Sequence, residues 1–367
     1  MKIGIDISQV VYQGTGVATY TQNLVRSLLE SKSDEYVLFG SSLGRQQELV
    51  EFVKTLPKTA TQTYKLYSFP SKMLSLLWNK LHQIPIERFV GKVDVFHTSD
   101  WIEPPANTAK VTTIHDVLVY KYPEHLHPLI VDTQKAKLNW VKKESAAIIA
   151  DSKTTKQDII DFLKIEESKI HVIPLGVGEV YYPQKIDAIL KTKQKYQIKG
   201  DYLLCVGTRE PRKNLAQIFE AFKLLKQKNL TLVIVGNFGW GKDIKQDIEL
   251  KLLGYVPEND LPALYCGATA FIYPPLYEGF GLPVLEALAC GTVVITSDNG
   301  SLAEIAQNIA IRVSPQELET FTWAIKKVIN LSKKDRELVI KKGLKYAQQF
   351  TWEKTAQKTL EVYKSVL

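Results

Sequence analysis

The sequence predicts an α/β protein made of two doubly wound parallel sheets, one in each half of the chain. Three observations predict it. Short apolar runs alternate with helical patterns from the start to about residue 176. The alternation lapses over 176–200, which mix Gly, Pro, Lys and Gln without a strong apolar period, and restarts at 202. Glycine-bearing loops follow several strands, at the carboxyl ends where open α/β sheets bind ligands. The 367 residues suit two domains, with the boundary placed over 176–200, and two such halves facing one another would enclose a cleft.

In the first half, residues 2–7 read as a buried strand, followed by the loop Gln13-Gly-Thr-Gly16 and a helix over 17–29. Strand, glycine loop and helix let backbone approach a phosphate or sugar closely. Gly-x-Gly alone fits a plain tight turn equally well. The full Gly-x-Gly-x-x-Gly of dinucleotide dehydrogenases is missing. Residues 36–39 and 63–68 are further strands. Over 71–81 a helical stripe runs through Met73, Leu74, Leu77, Trp78 and Leu81, with Lys72, Asn79, Lys80 and His82 off it. The stripe faces either the core, the commoner case, or an anionic membrane surface.

Strands over 93–97 and 110–114 follow, the second ending in Thr113-Ile-His-Asp116. His115 at such a strand end can donate to a sugar or phosphate oxygen, with Asp116 to orient it; an ordinary surface His–Asp pair is the alternative. His97 closes its strand in the same way. The segment 120–128, with Tyr120, Tyr122, His125 and His127, reads as irregular and acceptor-facing, without metal-ligand spacing. A strand over 146–150, a helix capped by Asp151-Ser152 and running to 162, and a strand over 169–174 complete this half.

The second half opens with a strand over 202–206 and the loop Gly207-Thr-Arg-Glu-Pro-Arg-Lys-Asn214. Arg209, Arg212 and Lys213, clustered before the helix 214–225, look like a diphosphate clamp. A strand over 231–235 leads to a second glycine loop, Gly236-Asn-Phe-Gly-Trp-Gly241. Strand 251–256 carries Gly254-Tyr255-Val256, which packs a base or simply leaves the sheet. A short helix over 261–266 and strand 270–273 precede the stretch on which the chemistry centres, 275–297. There Glu278-Gly-Phe-Gly-Leu-Pro283 opens a helix that Gly291 ends. Two glycines before a helix N-terminus leave unshielded N–H groups for an anion, and Pro283 suits the first helical position. Glu286, eight residues after Glu278, stands among Val284, Leu285, Ala287 and Leu288. A carboxylate there needs a partner, and both glutamates suit sugar hydroxyls. Ser301-Leu-Ala-Glu304 reads as a capping box, making Glu304 structural. Helices over 317–330, 334–349 and 352–365 close the chain.

Composition narrows the classes further. The chain is 45% hydrophobic and 23% charged, enough for sizeable cores. Residues 1–6 read as a strand rather than a signal peptide, and no run approaches the roughly 18 apolar residues of a membrane span. Cys205, Cys266 and Cys290 are scattered and odd in number, which suits a reducing, cytoplasmic setting. The net charge of +8 suits nucleic acid, an anionic membrane or a phosphorylated substrate. The lack of long like-charge blocks speaks against nucleic acid.

Together these residues resemble the retaining family 4 glycosyltransferases (glycosyl transferases group 1) of GT-B fold. The likeness covers nearly the whole chain and rests on Gly14-Thr-Gly16-Val, Thr113-Ile-His-Asp116, Val206-Gly-Thr-Arg-Glu-Pro-Arg-Lys-Asn214, Leu253-Gly-Tyr-Val256, Glu278-Gly-Phe-Gly-Leu-Pro283 with Glu286, and the closing Thr351-Trp-Glu-Lys with Tyr363. It implies two Rossmann-like domains facing across a cleft, 1–176 binding acceptor and 177–351 binding the nucleotide sugar, with helix 352–367 crossing back to the first.

The resemblance also implies roles. Glu286 would hold the ribose hydroxyls. Glu278, with Gly279, Phe280, Gly281 and Leu282, would hold the donor sugar and phosphate. Arg212 and Lys213 would neutralise the leaving diphosphate, and Tyr255 and Val256 would hold the base. His115 would contact the sugar near the reacting carbon, and Gly14 to Gly16 would lie against diphosphate and acceptor. Thr208 stands where many relatives carry an arginine, with Arg209 one position on; Thr208, Arg209 and Asn237 complete the expected donor-binding set.

The implied reaction is retaining, mannosyltransferase-like transfer of a hexose from GDP-mannose or a UDP-hexose to a saccharide or lipid-linked acceptor. It would serve polysaccharide synthesis on the cytoplasmic face. The sequence offers no convincing nucleophile, and no Asp-x-Asp for a bridging metal, so no metal or cofactor is expected. The rivals are a nucleotide-sugar epimerase of the same architecture and a basic protein binding nucleic acid or anionic lipid.

Overall fold

A computed structural model describes the 367-residue chain except residues 32–33, 59–60, 99, 226, 228, 238 and 240–248. It divides into two units, Met1–Gly176 with Trp352–Leu367, and Val177–Thr351. Among the described residues the first unit holds β1 (Lys2–Asp6), β2 (Glu35–Ser41), β3 (Gln62–Tyr67), β4 (Val95–Thr98), β5 (Ala109–Ile114), β6 (Ala147–Ala150) and β7 (Ile170–Val172). They form one sheet in the order β3-β2-β1-β4-β5-β6-β7, with every pairing parallel. The second unit holds β8 (Asp201–Val206), β9 (Leu230–Val235), β10 (Leu250–Gly254), β11 (Ala270–Tyr273), β12 (Val294–Ser297) and β13 (Ile311–Val313). Its order is β10-β9-β8-β11-β12-β13, again all parallel.

Both sheets are doubly wound, with the order reversing at β1 and at β8. Helices cover both faces, so central strands such as Ala147–Ala150 and Ala270–Tyr273 are buried at every residue and read as unbroken apolar runs. The second unit's core packs Leu203, Leu232, Ile272 and Ile295 of the sheet against Phe222, Phe321 and Ile325 of the flanking helices. In the first unit Val37, Phe39 and Phe96 pack around the fully buried Trp78.

The closing helix Trp352–Ser365 belongs to the first unit. Its Tyr363 hydroxyl meets His97 Nδ1 at 2.6 Å, and its Thr355 hydroxyl donates to the Pro174 carbonyl at 2.9 Å.

Three local expectations are corrected. The stripe over 71–81 is a turn of α-helix, Ser71–Leu74, running into a wider π-helical segment, Ser75–Lys80. The wider turn breaks the 3.6-residue period. Leu74 and Trp78 go into the core, while Met73 and Leu81 stay 41% and 56% exposed. The stretch 176–200 contains a helix, Ile186–Lys195. Its apolar Ile186, Ile189 and Leu190 span little more than one turn, too short a run to announce a period; Ile186 and Leu190 remain exposed, and Ile189 packs so closely on Gly267 that a Cβ there would lie 2.8 Å from it. Ser301 does not cap its helix. Asn299 holds the cap position, without a side-chain capping bond, and Ser301 sits in the first turn of Gly300–Ala306, donating to the Glu278 carbonyl.

Candidate functional site

In the second unit the chemistry gathers after β8 and β11, neighbouring strands whose carboxyl ends release the 207–214 and 274–281 loops. Arg212 and Lys213 lie in a short 3₁₀ turn, Pro211–Lys213, that Asn214 ends with φ +60°. The Asn214 amide donates to the carbonyls of Pro274 and Pro315 at 3.2 and 2.7 Å, and the Leu276 N–H donates to the Arg212 carbonyl at 2.8 Å. These bonds lace the cationic turn to the glutamate loop. The far side of that loop is pinned by the Ser297 hydroxyl on the Pro275 carbonyl and by Ser301 on Glu278.

Three donors converge on Glu278 Oε2: Lys213 Nζ at 2.8 Å, Arg212 Nη1 at 3.1 Å and the Tyr273 hydroxyl at 2.8 Å. Lys213 also donates to the Tyr273 hydroxyl, and Arg212 Nε to Glu210 at 2.8 Å. Burial pushes the Glu278 carboxyl toward its neutral form, but the charges of Lys213 and Arg212 outweigh it and hold the group down at about 2. Burial and the Arg212 charge lower Lys213, with Glu278 opposing. The result is a cluster of two cations and two carboxylates held in place by its own bonds.

Glu286 lies on the next helix, Leu282–Ala289, and is 9% exposed. The partner its apolar setting demands is Tyr265, whose hydroxyl donates to Oε2 at 2.9 Å. Burial raises Glu286 to about 7, with Glu258 adding to the rise and the hydroxyls of Tyr265 and Tyr181 opposing it. Leu282 takes the first helical position and Pro283 the second. Gly281 precedes them with φ +110°, and a Cβ there would stand 2.4 Å from Leu302, so only glycine lets the chain enter this helix. Phe280 beside it is buried against Phe350.

Of the second glycine loop, Phe238, Trp240 and Gly241 lie outside the described residues. Gly236 approaches the 207–208 backbone so closely that a Cβ would fall 2.0 Å from the Gly207 carbonyl oxygen. The Arg209 N–H donates to the Asn237 carbonyl at 3.0 Å, which holds Thr208–Arg209 and Asn237 side by side. Tyr255 and Val256 follow β10 rather than continuing it; Tyr255 is 55% exposed and Val256 is buried.

In the first unit His115 leaves the end of β5, and its Nδ1 bonds Asp151 Oδ2 at 2.7 Å. The expected orienter, Asp116, instead accepts the Leu118 N–H at 2.9 Å; a residue just after the next strand is better placed than a sequence neighbour. Burial lowers His115, but the Asp151 charge and hydrogen bond outweigh it and leave it raised. A pocket of about 20 Å³ opens beside it, lined in part by Asp6, Thr98, Asp100 and Thr113, with room for one water or hydroxyl. His97 is fully buried between the Tyr363 and Thr113 hydroxyls, and burial above all lowers it to about 3. It is a neutral structural group. Gly14 and Gly16 are exposed at the start of helix Gly16–Glu30.

Sequence reasoning missed Tyr273, Asn214 and Ser297 as supports of Glu278 and Lys213, Tyr265 as partner of Glu286, and Asp151 as partner of His115. Their one visible signal was position, each lying at or just beyond the end of a predicted strand or helix.

Two parallel Rossmann-like sheets with a strand-end web of cations and carboxylates fit a glycosyltransferase of GT-B architecture, and the family models show that class. The model for glycosyl transferases group 1 matches residues 188–346, and that for glycosyltransferase family 4 matches residues 14–179. The chain belongs to the family 4 glycosyltransferases. It is 29% identical to O-antigen chain mannosyltransferase B of Escherichia coli over 99% of this chain and 100% of that protein. It is 26% identical to O-antigen chain mannosyltransferase RfbU of Salmonella typhimurium over 89% and 91%. The fold matches that of Anabaena Alr3699/HepE in complex with UDP and glucose, with TM-score 0.76, 17% identity and full coverage of both chains.

Proposed function

We propose that this glycosyltransferase moves a hexose from a nucleoside diphosphate to the hydroxyl of a saccharide or lipid-linked acceptor, with retention and without a metal. GDP-mannose is the first donor to test, because relatives matched over most of their length are named mannosyltransferases. A UDP-hexose is the second, since a structural neighbour holds UDP and glucose.

The observation that carries the reading is the convergence of Lys213 and Arg212 on Glu278. Two fixed cations beside a carboxylate suit a diphosphate and the adjoining sugar hydroxyls together. In the transfer the bond from the anomeric carbon to phosphate breaks as that to the acceptor oxygen forms on the same face, and the departing phosphate takes the acceptor's proton. Lys213 and Arg212 stabilise the growing charge on the phosphate. Glu278 and the 279–282 backbone position the sugar, Glu286 the ribose, and Tyr255 and Val256 the base. Thr208, Arg209 and Asn237 border the donor. His115 donates to the sugar near the reacting carbon, and Gly14 and Gly16 face the diphosphate and acceptor. Residues 1–176 serve the acceptor and 177–351 the donor.

Metal independence is supported by the pairing of Lys213 and Arg212 beside Glu278, two cations that could neutralise a diphosphate, and by the lack of Asp-x-Asp. The test incubates the protein with each donor, with and without a polyprenyl-diphosphate saccharide, in excess EDTA. Acceptor-dependent product with the donor's anomeric configuration is expected. Conversion of the donor, without acceptor, into an epimeric sugar would establish the epimerase instead.

The proposed setting is cytoplasmic and peripheral. Among the described residues no helix is long and apolar enough to cross a membrane. Exposed Met73, Leu76, Leu81 and Ile84, flanked by exposed Lys72 and Lys80, suit an anionic lipid surface. Co-sedimentation with phosphatidylglycerol vesicles, lost on Leu81→Ser with Ile84→Ser, checks it; equal recovery with neutral vesicles would refute it.

A further inference from the structure

We propose that Asp151 is a positioning residue for the transfer: it fixes the His115 ring so that the Nε2–H is presented, as a charged donor, to the donor sugar or its phosphate. The inference rests on the role proposed for His115 and adds a residue outside the motif that made His115 visible.

The geometry comes from strand pairing. Ile114 of β5 stands opposite Ala150 of β6, so His115 and Asp151 leave neighbouring strand ends together. The 2.7 Å bond between Nδ1 and Oδ2 commits one ring nitrogen, so Nε2 is the nitrogen a ligand in the pocket that His115 lines would meet. Ring rotation is limited from a second side. The Tyr20 ring meets His115 edge-on, with centroids 4.6 Å apart and planes at 77°, and the Tyr20 hydroxyl is itself tied to Thr113 at 2.7 Å.

Burial supplies the rest of the argument. Asp151 is 2% exposed, and among the described residues its Oδ1 has no hydrogen-bond partner. A carboxylate so enclosed, with one oxygen unserved, is strongly disfavoured unless a positive charge stands against it. Burial raises Asp151, and the charge and hydrogen bond of His115 oppose that rise, so a positive ring at 2.7 Å is what keeps this carboxylate ionised. Asp100 and Asp116 also favour the charged ring, and burial opposes it. Nearby His97 stays neutral, and Lys137 on the helix Pro128–Glu144, buried close to Asp100 and Glu103, has its own charge disfavoured by burial. A charge-assisted donor forms shorter and stronger bonds to sugar or phosphate oxygens than a neutral one.

The test follows His115 directly by ¹⁵N–¹³C NMR titration, alongside kinetics, in wild type and Asp151→Asn. In wild type His115 is expected to titrate above the usual histidine value of about 6.5. In Asp151→Asn its midpoint falls by about one unit or more. The alkaline limb of kcat moves down with it, kcat at neutral pH drops about tenfold, and KM for the nucleotide sugar changes little. A wild-type midpoint at or below 6.5, readable even if the variant fails to fold, overturns the proposal. So does a folded variant with an unmoved midpoint, or a moved midpoint with unaltered kcat. The NMR arm needs no turnover, so failure of the proposed transfer reaction is distinguishable from failure of the Asp151 role.

Discussion

Replacing Glu278 by glutamine removes the carboxylate on which Lys213, Arg212 and Tyr273 converge. The two cations hold its pKa at about 2, against 4.5 for the free group. At 1.4 kcal/mol per unit this corresponds to about 3 kcal/mol of stability at neutral pH. The depressed pKa fixes the sign. The stabilisation is full above the unfolded value and is lost as pH falls through about 2. Glutamine still accepts one bond but turns an amide toward a buried lysine, so most of that energy should go. For a domain of this size the melting temperature falls by about 5–10 °C at pH 7. Scanning calorimetry on both proteins at pH 7 and pH 3.5 reads it. At pH 3.5 the wild-type advantage should have narrowed by about 1 kcal/mol. Equal melting temperatures at pH 7, or an advantage that does not shrink in acid, would show that Lys213 and Arg212 do not stabilise the fold through Glu278.

Two further outcomes follow from the same structure. Glu286 is raised to about 7, so its neutral form favours the fold below the unfolded value and that contribution is lost as pH rises through 7; Glu286→Gln should melt higher than wild type at pH 8.5, with no such gain at pH 5, while binding donor more weakly. Tyr363→Phe deprives buried His97 of its Nδ1 partner and should cost about 1–3 kcal/mol, seen in denaturant unfolding, with donor affinity unchanged.

Much of the fold was legible because buried parallel strands are apolar at every position. Runs such as Ile148–Ile149 and Phe271–Ile272, each followed by turn residues and a helix, leave little choice of class. The exceptions have physical causes. The Ile186–Lys195 helix packs on the Leu261–Gly267 helix, with Ile189 against Gly267 and Thr192 buried, and its apolar residues fill little more than one turn, so its stripe is short. The π segment at Ser75–Lys80 moves side chains off the period that linked Met73 to Leu81. At the site, the charged residues stood out because Glu278, Arg212 and Lys213 fall in loops between predicted elements. Their supports did not. Asp151 reaches His115 through β5–β6 pairing, Tyr265 reaches Glu286 from another helix, and Ser301 holds Glu278 from inside a helix whose pattern suggested a cap. Such pairings depend on register and packing across elements, which local pattern does not encode.

On the proposed function, fixed cations grip the pyrophosphate of an activated sugar. Calorimetric titration of wild type and Lys213→Ala with GDP, UDP and their monophosphates, after circular dichroism has shown both folded, tests it most directly. The nucleoside diphosphate that wild type binds should lose about tenfold or more in affinity in the variant, its monophosphate should change little, and turnover should largely disappear. Undiminished diphosphate affinity with normal turnover would contradict it.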